Sequence, residues 1–258
     1  MKIATWNVNS LAVRLPQVLD WLAANPVDAL CLQELKLSDD KFPLEAIAAA
    51  GYEHCAVFGQ KTYNGVAILS RLPLREVTKN ITGFADEQSR VVSATLDTPS
   101  GALRLVNGYF VNGSEPGSEK FAYKMQWLDG LRTYLAQELV ATPQLVLVGD
   151  FNITYDDRDT HDPEGLRETI HHTSEERAHF QALLDMGLTD AFRLFEQPEK
   201  SYSWWDYREF AFRRNRGLRI DHILVSQPLK ASVKSCVIDK APRKNERPSD
   251  HVPVVVEL

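Results

Sequence analysis

Residues 91–110 read VVSATLDTPSGALRLVNGYF. Two β-rich runs, VVSATL at 91–96 and LRLVNGYF at 103–110, are joined by the six residues DTPSGA. That connection is too short for the helix a parallel crossover needs, so the two runs pair antiparallel. Comparable runs recur outward in both directions: IATW at 3–6, ALCL at 29–32 and GVAILS at 65–70 before it, then LVLVGDFN at 145–152, IDHILV at 220–225 and VPVVVEL at 252–258. Many are apolar without clean alternation, the pattern of strands covered on both faces. Helical spacing of apolar residues is confined to 16–24, 119–139 and 174–186, and Thr173 or Ser174 followed by Glu176 marks a helix start. Strands outnumber helices and several are linked briefly, which argues against a doubly wound parallel sheet. The expected α/β architecture is two packed, mainly antiparallel sheets flanked by helices.

Neither a repeat nor a Gly/Ser linker interrupts the 258 residues, so residues 1–258 are expected to form a single domain. Composition is globular, with 44% hydrophobic and 25% charged residues. Cys31, Cys55 and Cys236 are odd in number and form no CxxC pair, which argues for reduced thiols rather than a disulfide framework. The opening MKIATWNVNS lacks a signal-peptide layout and no apolar run has the length of a membrane span, so a cytoplasmic protein without membrane contact is expected. The formal charge of −6 counts against nucleic acid on its own. Its distribution matters more: Arg208, Arg213, Arg214, Arg216 and Arg219 cluster, followed by Lys240, Arg243, Lys244 and Arg247. Such a run is either a phosphate-binding face or an ordinary solvated one.

Polar residues sit at the ends of the apolar runs. Asn7 closes IATW, Glu34 follows ALCLQ, Asp150 and Asn152 follow LVLVG, Asp221 opens DHILV, and Asp250 and His251 precede VPVVV. A strand end is where a rigid scaffold presents a side chain to a cleft. There is no zinc spacing, GxGxxG, Walker loop or GxSxG elbow. Carboxylates with amide carbonyls instead suit Mg²⁺, with Mn²⁺ as substitute.

The segments WNVNS (6–10), LQELK (32–36), NGVAILS (64–70), GYFVNG (108–113), GDFN (149–152), GLRIDHIL (217–224) and SDHVPV (249–254) together resemble the exonuclease III family, within the endonuclease/exonuclease/phosphatase superfamily. The resemblance runs from the first residues to the last, in the family's order. It implies a four-layered α/β sandwich and a Mg²⁺-dependent phosphodiesterase of DNA repair. The expected partner is double-stranded DNA carrying nicks, gaps, 3′-blocked ends or abasic sites, and the expected state is a monomer. By the same resemblance Glu34 is the main metal ligand with Asn7 beside it, in a wider metal set of Asp150, Asn152, Asp250 and His251. Asp150 orients or deprotonates the attacking water, Asn152 holds the phosphate, and His251, paired with Asp221, stabilises transition-state oxygens. Tyr109 is the phosphate-facing tyrosine, with Asn112 on its motif. Asn9 replaces an acid found in some relatives, which leaves open one metal position or two. Lys36, Asn112, His171, Trp204, Trp205, Arg216 and Arg219 are the expected DNA contacts. On residue type alone, Trp204 and Trp205 read rather as core aromatics, and Lys36 as a solvated charge.

One stretch departs from the family pattern. Relatives that cut abasic sites tend to place a small residue, a glycine and an aromatic before a Thr-x-x-Glu-Arg helix start, whereas this chain reads Ile170-His171-His172-Thr173. His171 thus stands where a glycine would permit close approach. The expectation is an enzyme of 3′ ends, a 3′-5′ exonuclease and 3′-phosphatase, with abasic-site cleavage weakened by His171. Its competitors are a full abasic endonuclease of base excision repair, a phosphatase of a small or lipid phosphate, and a catalytically dead binding module.

Overall fold

The computed structural model describes residues 1–258. Twelve strands form two six-stranded sheets. The first contains β1 (Lys2–Asn7), β2 (Ala29–Gln33), β3 (His54–Phe58), β4 (Val66–Ser70), β11 (Ser235–Ile238) and β12 (Val254–Glu257), in the order β11-β12-β1-β2-β4-β3. The second contains β5 (Leu74–Lys79), β6 (Val91–Thr98), β7 (Gly101–Tyr109), β8 (Leu145–Asp150), β9 (Leu188–Asp190) and β10 (Asp221–Ser226), in the order β5-β6-β7-β8-β10-β9. The decisive stretch is an antiparallel pair, closed where Thr98 faces Gly101.

Each sheet carries one parallel pair at its centre, β1 with β2 and β7 with β8; every other pairing is antiparallel. The two parallel pairs are the places where the chain has room for a crossover helix: α1 (Leu11–Ala24) links β1 to β2, and α3 (Glu119–Ala141) links β7 to β8. Apolar side chains make three layers of core. Ile3, Cys31, Ile68, Val92, Leu105, Val146 and Ile223 pack between the sheets. Trp6, Leu30 and Leu32 pack under α1 and the short α2 (Leu44–Ala49), while Phe110, Leu147 and Phe151 pack under α3 and α4 (Ser174–Asp185). A helical turn, α5 (Gln227–Lys230), follows β10. The result is a four-layered α/β sandwich, as expected.

One helix start differs from the sequence reading, for a physical reason, and another agrees with it. α1 begins five residues before Pro16, the expected start, because Leu11 is fully buried and the amides of Ser10 and Leu11 donate to the carbonyls of Glu34 (2.8 Å) and Leu35 (3.0 Å). Tertiary contacts therefore hold the first turn in place of a proline at its first position. α4 starts as anticipated: Thr173 accepts from the Glu176 amide and Glu176 accepts from the Thr173 amide, a reciprocal cap.

Gly149 makes the second parallel pair possible. Its φ is +144°, and a Cβ there would fall 1.8 Å from the Gly108 carbonyl oxygen, a backbone atom that cannot move aside without breaking the ladder. Gly149→Ala is expected to lose about 3 kcal/mol or more of stability in urea unfolding, with loss of the folded state as the extreme. A variant as stable as the parent would contradict this packing.

Candidate active site

β1, β2, β7 and β8 all run in one direction, so their C-terminal ends lie along one edge of the sandwich, where the antiparallel β10 begins. Asn7, Glu34, Tyr109, Asp150 and Asp221 are brought together there. Asn7 Nδ2 donates to Asp150 Oδ2 across the sheets at 2.9 Å. The amide of Asn152 donates to Asp150 Oδ1 at 3.0 Å, and Asn152 Nδ2 donates to the Phe110 carbonyl at 3.0 Å. His251 Nδ1 donates to Asp221 Oδ2 at 2.9 Å, leaving Nε2 facing Asp150 Oδ2 at 3.7 Å. Ser203 Oγ supports Asp221 Oδ2 at 2.7 Å.

Electrostatics follow from burial. Desolvation pushes the Asp150 carboxyl well above its ordinary range, with the His251 charge opposing and Asp221 and Glu34 adding to the rise. His251 moves the other way from a neutral buried imidazole: burial disfavours its charge, but Asp221 and Asp150 outweigh burial and hold it as an imidazolium. Ligand atoms of Asp150, Asp221 and His251 lie within 4.8 Å of one another, close enough to hold a metal ion.

A second cluster adjoins the first. Tyr109 donates its hydroxyl to Glu34 Oε1 at 2.5 Å, and the Arg90 guanidinium lies 5.0 Å from its ring centroid. Burial, then Glu34 and Asp150, raise the Tyr109 pKa well above normal and keep it a phenol. Lys36 Nζ is 3.0 Å from Glu34 Oε2 and donates to Asn9 Oδ1 at 2.6 Å. Lys36 is thus engaged at the site rather than free in solvent. Asn9 Nδ2 and Trp204 Nε1 each donate to one oxygen of Asp250, both at 2.9 Å. Burial favours the neutral acid there, yet His251 and these two donors hold Asp250 below the usual carboxylate range.

Beside the clusters lies a cleft of about 590 Å³ walled by Trp204, Leu218, Arg216, Thr154, Ile170 and His171. His171 belongs to its wall and not to an exposed loop. It has φ 72°, the left-handed conformation a glycine would adopt freely, and its Nδ1 bonds the Asn152 carbonyl at 2.8 Å. Burial, then Lys124, push its imidazole down to about 4, so it is neutral. His172 is buried and bonds Thr154 Oγ1 at 2.7 Å. Asn112 Nδ2 reaches Asn152 Oδ1 at 3.3 Å.

Two expected DNA contacts are corrected. Trp205 is fully buried in a small core with Tyr202, Ala211 and Val252, and its indole donates to Asn215 Oδ1 at 3.1 Å; only Trp204 faces the cleft. Arg219 is 1% exposed and forked between Asp159 (Nε to Oδ1, 2.7 Å) and Asp190 (Nη2 to Oδ2, 2.7 Å), so its guanidinium is committed to buried carboxylates and closed off from a phosphate. Arg208, Arg213, Arg214 and Arg216 are exposed, whereas Arg243 is buried against Tyr207 and Phe212. The basic run is therefore part rim and part packing. The sequence reading missed Ser203, Arg90, Leu218 and Lys124. Of these only Lys124 left a signal, as a charge within the buried stripe of α3 between Phe121 and Leu128.

Residues 4–251 match the Endonuclease/Exonuclease/phosphatase family. The chain is 37% identical over 267 residues to exodeoxyribonuclease III of Haemophilus influenzae, each covered in full. Among solved structures it is similar to the 3′ phosphatase NExo from Neisseria bound to product DNA hairpin, with TM-score 0.96, 49% identity and coverage of 100% and 99%. It is also similar to an AP endonuclease from Archaeoglobus fulgidus, with TM-score 0.93, 34% identity and coverage of 99% and 98%.

The Arg219 fork yields a stability prediction. Burial would raise the Asp159 pKa, but the charge and hydrogen bonds of Arg219, with His222 and Arg193, override it and hold Asp159 far below normal. A depressed folded value means the contribution is complete above the unfolded pKa of about 3.9 and is lost as pH falls toward the folded one. Asp159→Asn is expected to lose about 3–5 kcal/mol in urea unfolding at pH 7, since it leaves Arg219 and Arg193 short of a buried partner. The gap to the parent should narrow as pH drops below about 4. A gap independent of pH would contradict the assignment.

Proposed function

We propose that this chain, which belongs to the endonuclease/exonuclease/phosphatase family, is a metal-dependent DNA phosphodiesterase of the exonuclease III type that processes 3′ ends as a 3′-5′ exonuclease and 3′-phosphatase. The observation that carries the reading is the convergence of Asp150, Asn152 and the Asp221-paired His251 beside the cleft of Trp204, Leu218 and His171. A buried base, an imidazolium and amide donors suit displacement at a phosphorus.

In this reading the attacking water is held and deprotonated by Asp150, whose burial makes it basic enough for that role. The His251 imidazolium, kept charged and oriented by Asp221, stabilises the oxygens that gain charge. Asn152 and Asn112 hold the phosphate through their amides, and the Tyr109 phenol donates to it in place of Glu34. Glu34, Asn7 and Asp150 form a hard-oxygen donor set that fits Mg²⁺, with Asn152 and Asp250 at its margin; the expected His251 ligand is corrected, because an imidazolium has no lone pair to give a cation. A bound Mg²⁺ or Mn²⁺ would polarise the phosphoryl oxygen and neutralise the leaving oxyanion. Local charge supports this fit: Glu34, Asp150, Asp221 and Asp250 outnumber the two cations touching them, Lys36 and His251, so a phosphate needs further positive charge to enter. Arg208, Arg213, Arg214 and Arg216 form the rim for a flanking duplex, which in this reading carries a nick, a gap or a blocked 3′ end. The working unit is one domain, a monomer in the cytoplasm; no helix is long and apolar enough to cross a membrane.

With a nicked duplex bearing a 3′-phosphate, phosphate release is expected with Mg²⁺ or Mn²⁺ and not in EDTA. Release undiminished by EDTA would overturn the metal assignment.

Full abasic-site cleavage is the second reading, favoured by the likeness to an AP endonuclease. His171 decides between them. Its ring fills a place where the left-handed backbone would accept glycine, and it narrows the cleft in which a continuing strand with an abasic sugar would lie. A terminal 3′ group needs less room. His171→Gly is expected to raise cleavage of an internal abasic analogue by about tenfold or more relative to 3′-phosphate removal. A parent that already cuts both at equal rates would show the second reading to be correct.

A further inference from the structure

Lys124 is the one charged side chain on the buried stripe of α3, and it is completely buried. Its ammonium uses all three donors on loops of the site: Nζ donates to the Asn152 carbonyl at 2.8 Å, to the Asn112 carbonyl at 3.2 Å, and to Glu176 Oε1. Glu176 in turn accepts from the His171 amide at 3.1 Å and from the Thr173 amide at 3.0 Å. Gly113 packs on the lysine stem, so closely that a Cβ there would lie 2.9 Å from Lys124 Cδ. One ammonium thus ties together three chain segments at the site: the exit of β7, the exit of β8 and the segment before α4.

Stability alone does not account for it. A buried ion pair is commonly no better than apolar packing of the same volume, and the neighbours on this stripe, Phe121, Trp127 and Leu128, are apolar. What a hydrocarbon could not do is fix the two carbonyls of Asn112 and Asn152, whose side chains meet at 3.3 Å next to Asp150. We propose that Lys124 is a positioning residue, which from beneath the cleft sets the placement of Asn112, Asn152 and His171 and so the fit of the 3′ phosphate. The proposal rests on the 3′-end reading above.

Lys124→Met alone leaves Glu176 without its cation and need not fold. The informative comparison is therefore Lys124→Met/Glu176→Gln, which buries no charge, against Glu176→Gln, which keeps the lysine and its two carbonyl bonds. Melting temperature, the Kd for nicked DNA in EDTA, and kcat and KM for 3′-phosphate release are measured for both and for the parent. The double variant is expected to melt close to Glu176→Gln and to bind DNA within about threefold of it, while kcat falls by about 10²-fold, the cost of a small misplacement of reacting groups. Lys124→Arg, which retains donors, should recover part of that kcat. An active parent with equal kcat in the double and single variants overturns the role of Lys124 alone. A parent inert toward the 3′-phosphate overturns the reading beneath it.

Discussion

The hydrogen bond from Asn7 to Asp150 joins the last residue of β1 in one sheet to the last residue of β8 in the other. Much of the molecule is arranged so that this bond can exist. Below it, Gln33 Nε2 donates to Asn107 Oδ1 at 2.7 Å, and Asn107 Nδ2 donates to the carbonyls of Leu32 and Ala67. These amides lie in the apolar layer between the sheets, where an unpaired polar group would cost about 1–3 kcal/mol, so they tolerate little sliding of one sheet over the other. A shift of one residue would break the buried amide network and separate Asn7 from Asp150. The Asn7–Asp150 pair inherits its precision from the register of the two sheets.

That position also sets its chemistry. Asp150 ends a strand buried on both faces, so its charge is poorly solvated, and its protonation depends on Asn7, the Asn152 amide and His251. Asp221 is buried as well, but it is answered by His251 Nδ1 and Ser203 Oγ. Two carboxylates thus flank one imidazole, Asp221 at 2.9 Å from Nδ1 and Asp150 at 3.7 Å from Nε2. Acidic residues concentrated here also bear on how a chain of charge −6 is compatible with DNA: part of the negative excess lies at the site, and exposed arginines lie beside the cleft.

The sequence was legible where burial leaves a continuous mark. All eight strands read from apolar runs are inner strands, and the four it passed over, β3, β5, β9 and β11, are the two edges of each sheet. An edge strand exposes one flank and need not be apolar; β5, LREVTK, is exposed at three consecutive positions. The same limit explains the corrected contacts. Trp204 and Trp205 are adjacent and alike in type, yet the extended, β-bridged backbone at Trp204 sends one to the cleft and the next to the core. Arg219 sits within a motif that resembles the family, but its partners Asp159 and Asp190 are 60 and 29 residues away, a pairing visible only after folding.

Backbone strain at the site was hidden for a related reason. Asn9, Ser10, Glu34, Lys36, Asn152 and His171 all adopt positive φ without being glycine. Each such conformation is unfavourable for an L residue, least so for asparagine. Glycine would relieve the turn, but it would remove the amide, carboxylate, ammonium or imidazole that the turn delivers. Except at His171, which precedes α4, the chain has to reverse within three residues of a strand end while keeping the side chain there, so a strained residue is the remaining solution. Tertiary bonds hold it in place: the Ser10 amide on the Glu34 carbonyl, the Lys36 amide on the Asn64 carbonyl, and the Thr154 amide on the His171 carbonyl. Each of these bonds ties one strained segment to another part of the cleft, so relaxing one would disturb its neighbour. The strain is therefore a property of the assembled edge, sustained by the same sheet register that brings Asn7 to Asp150.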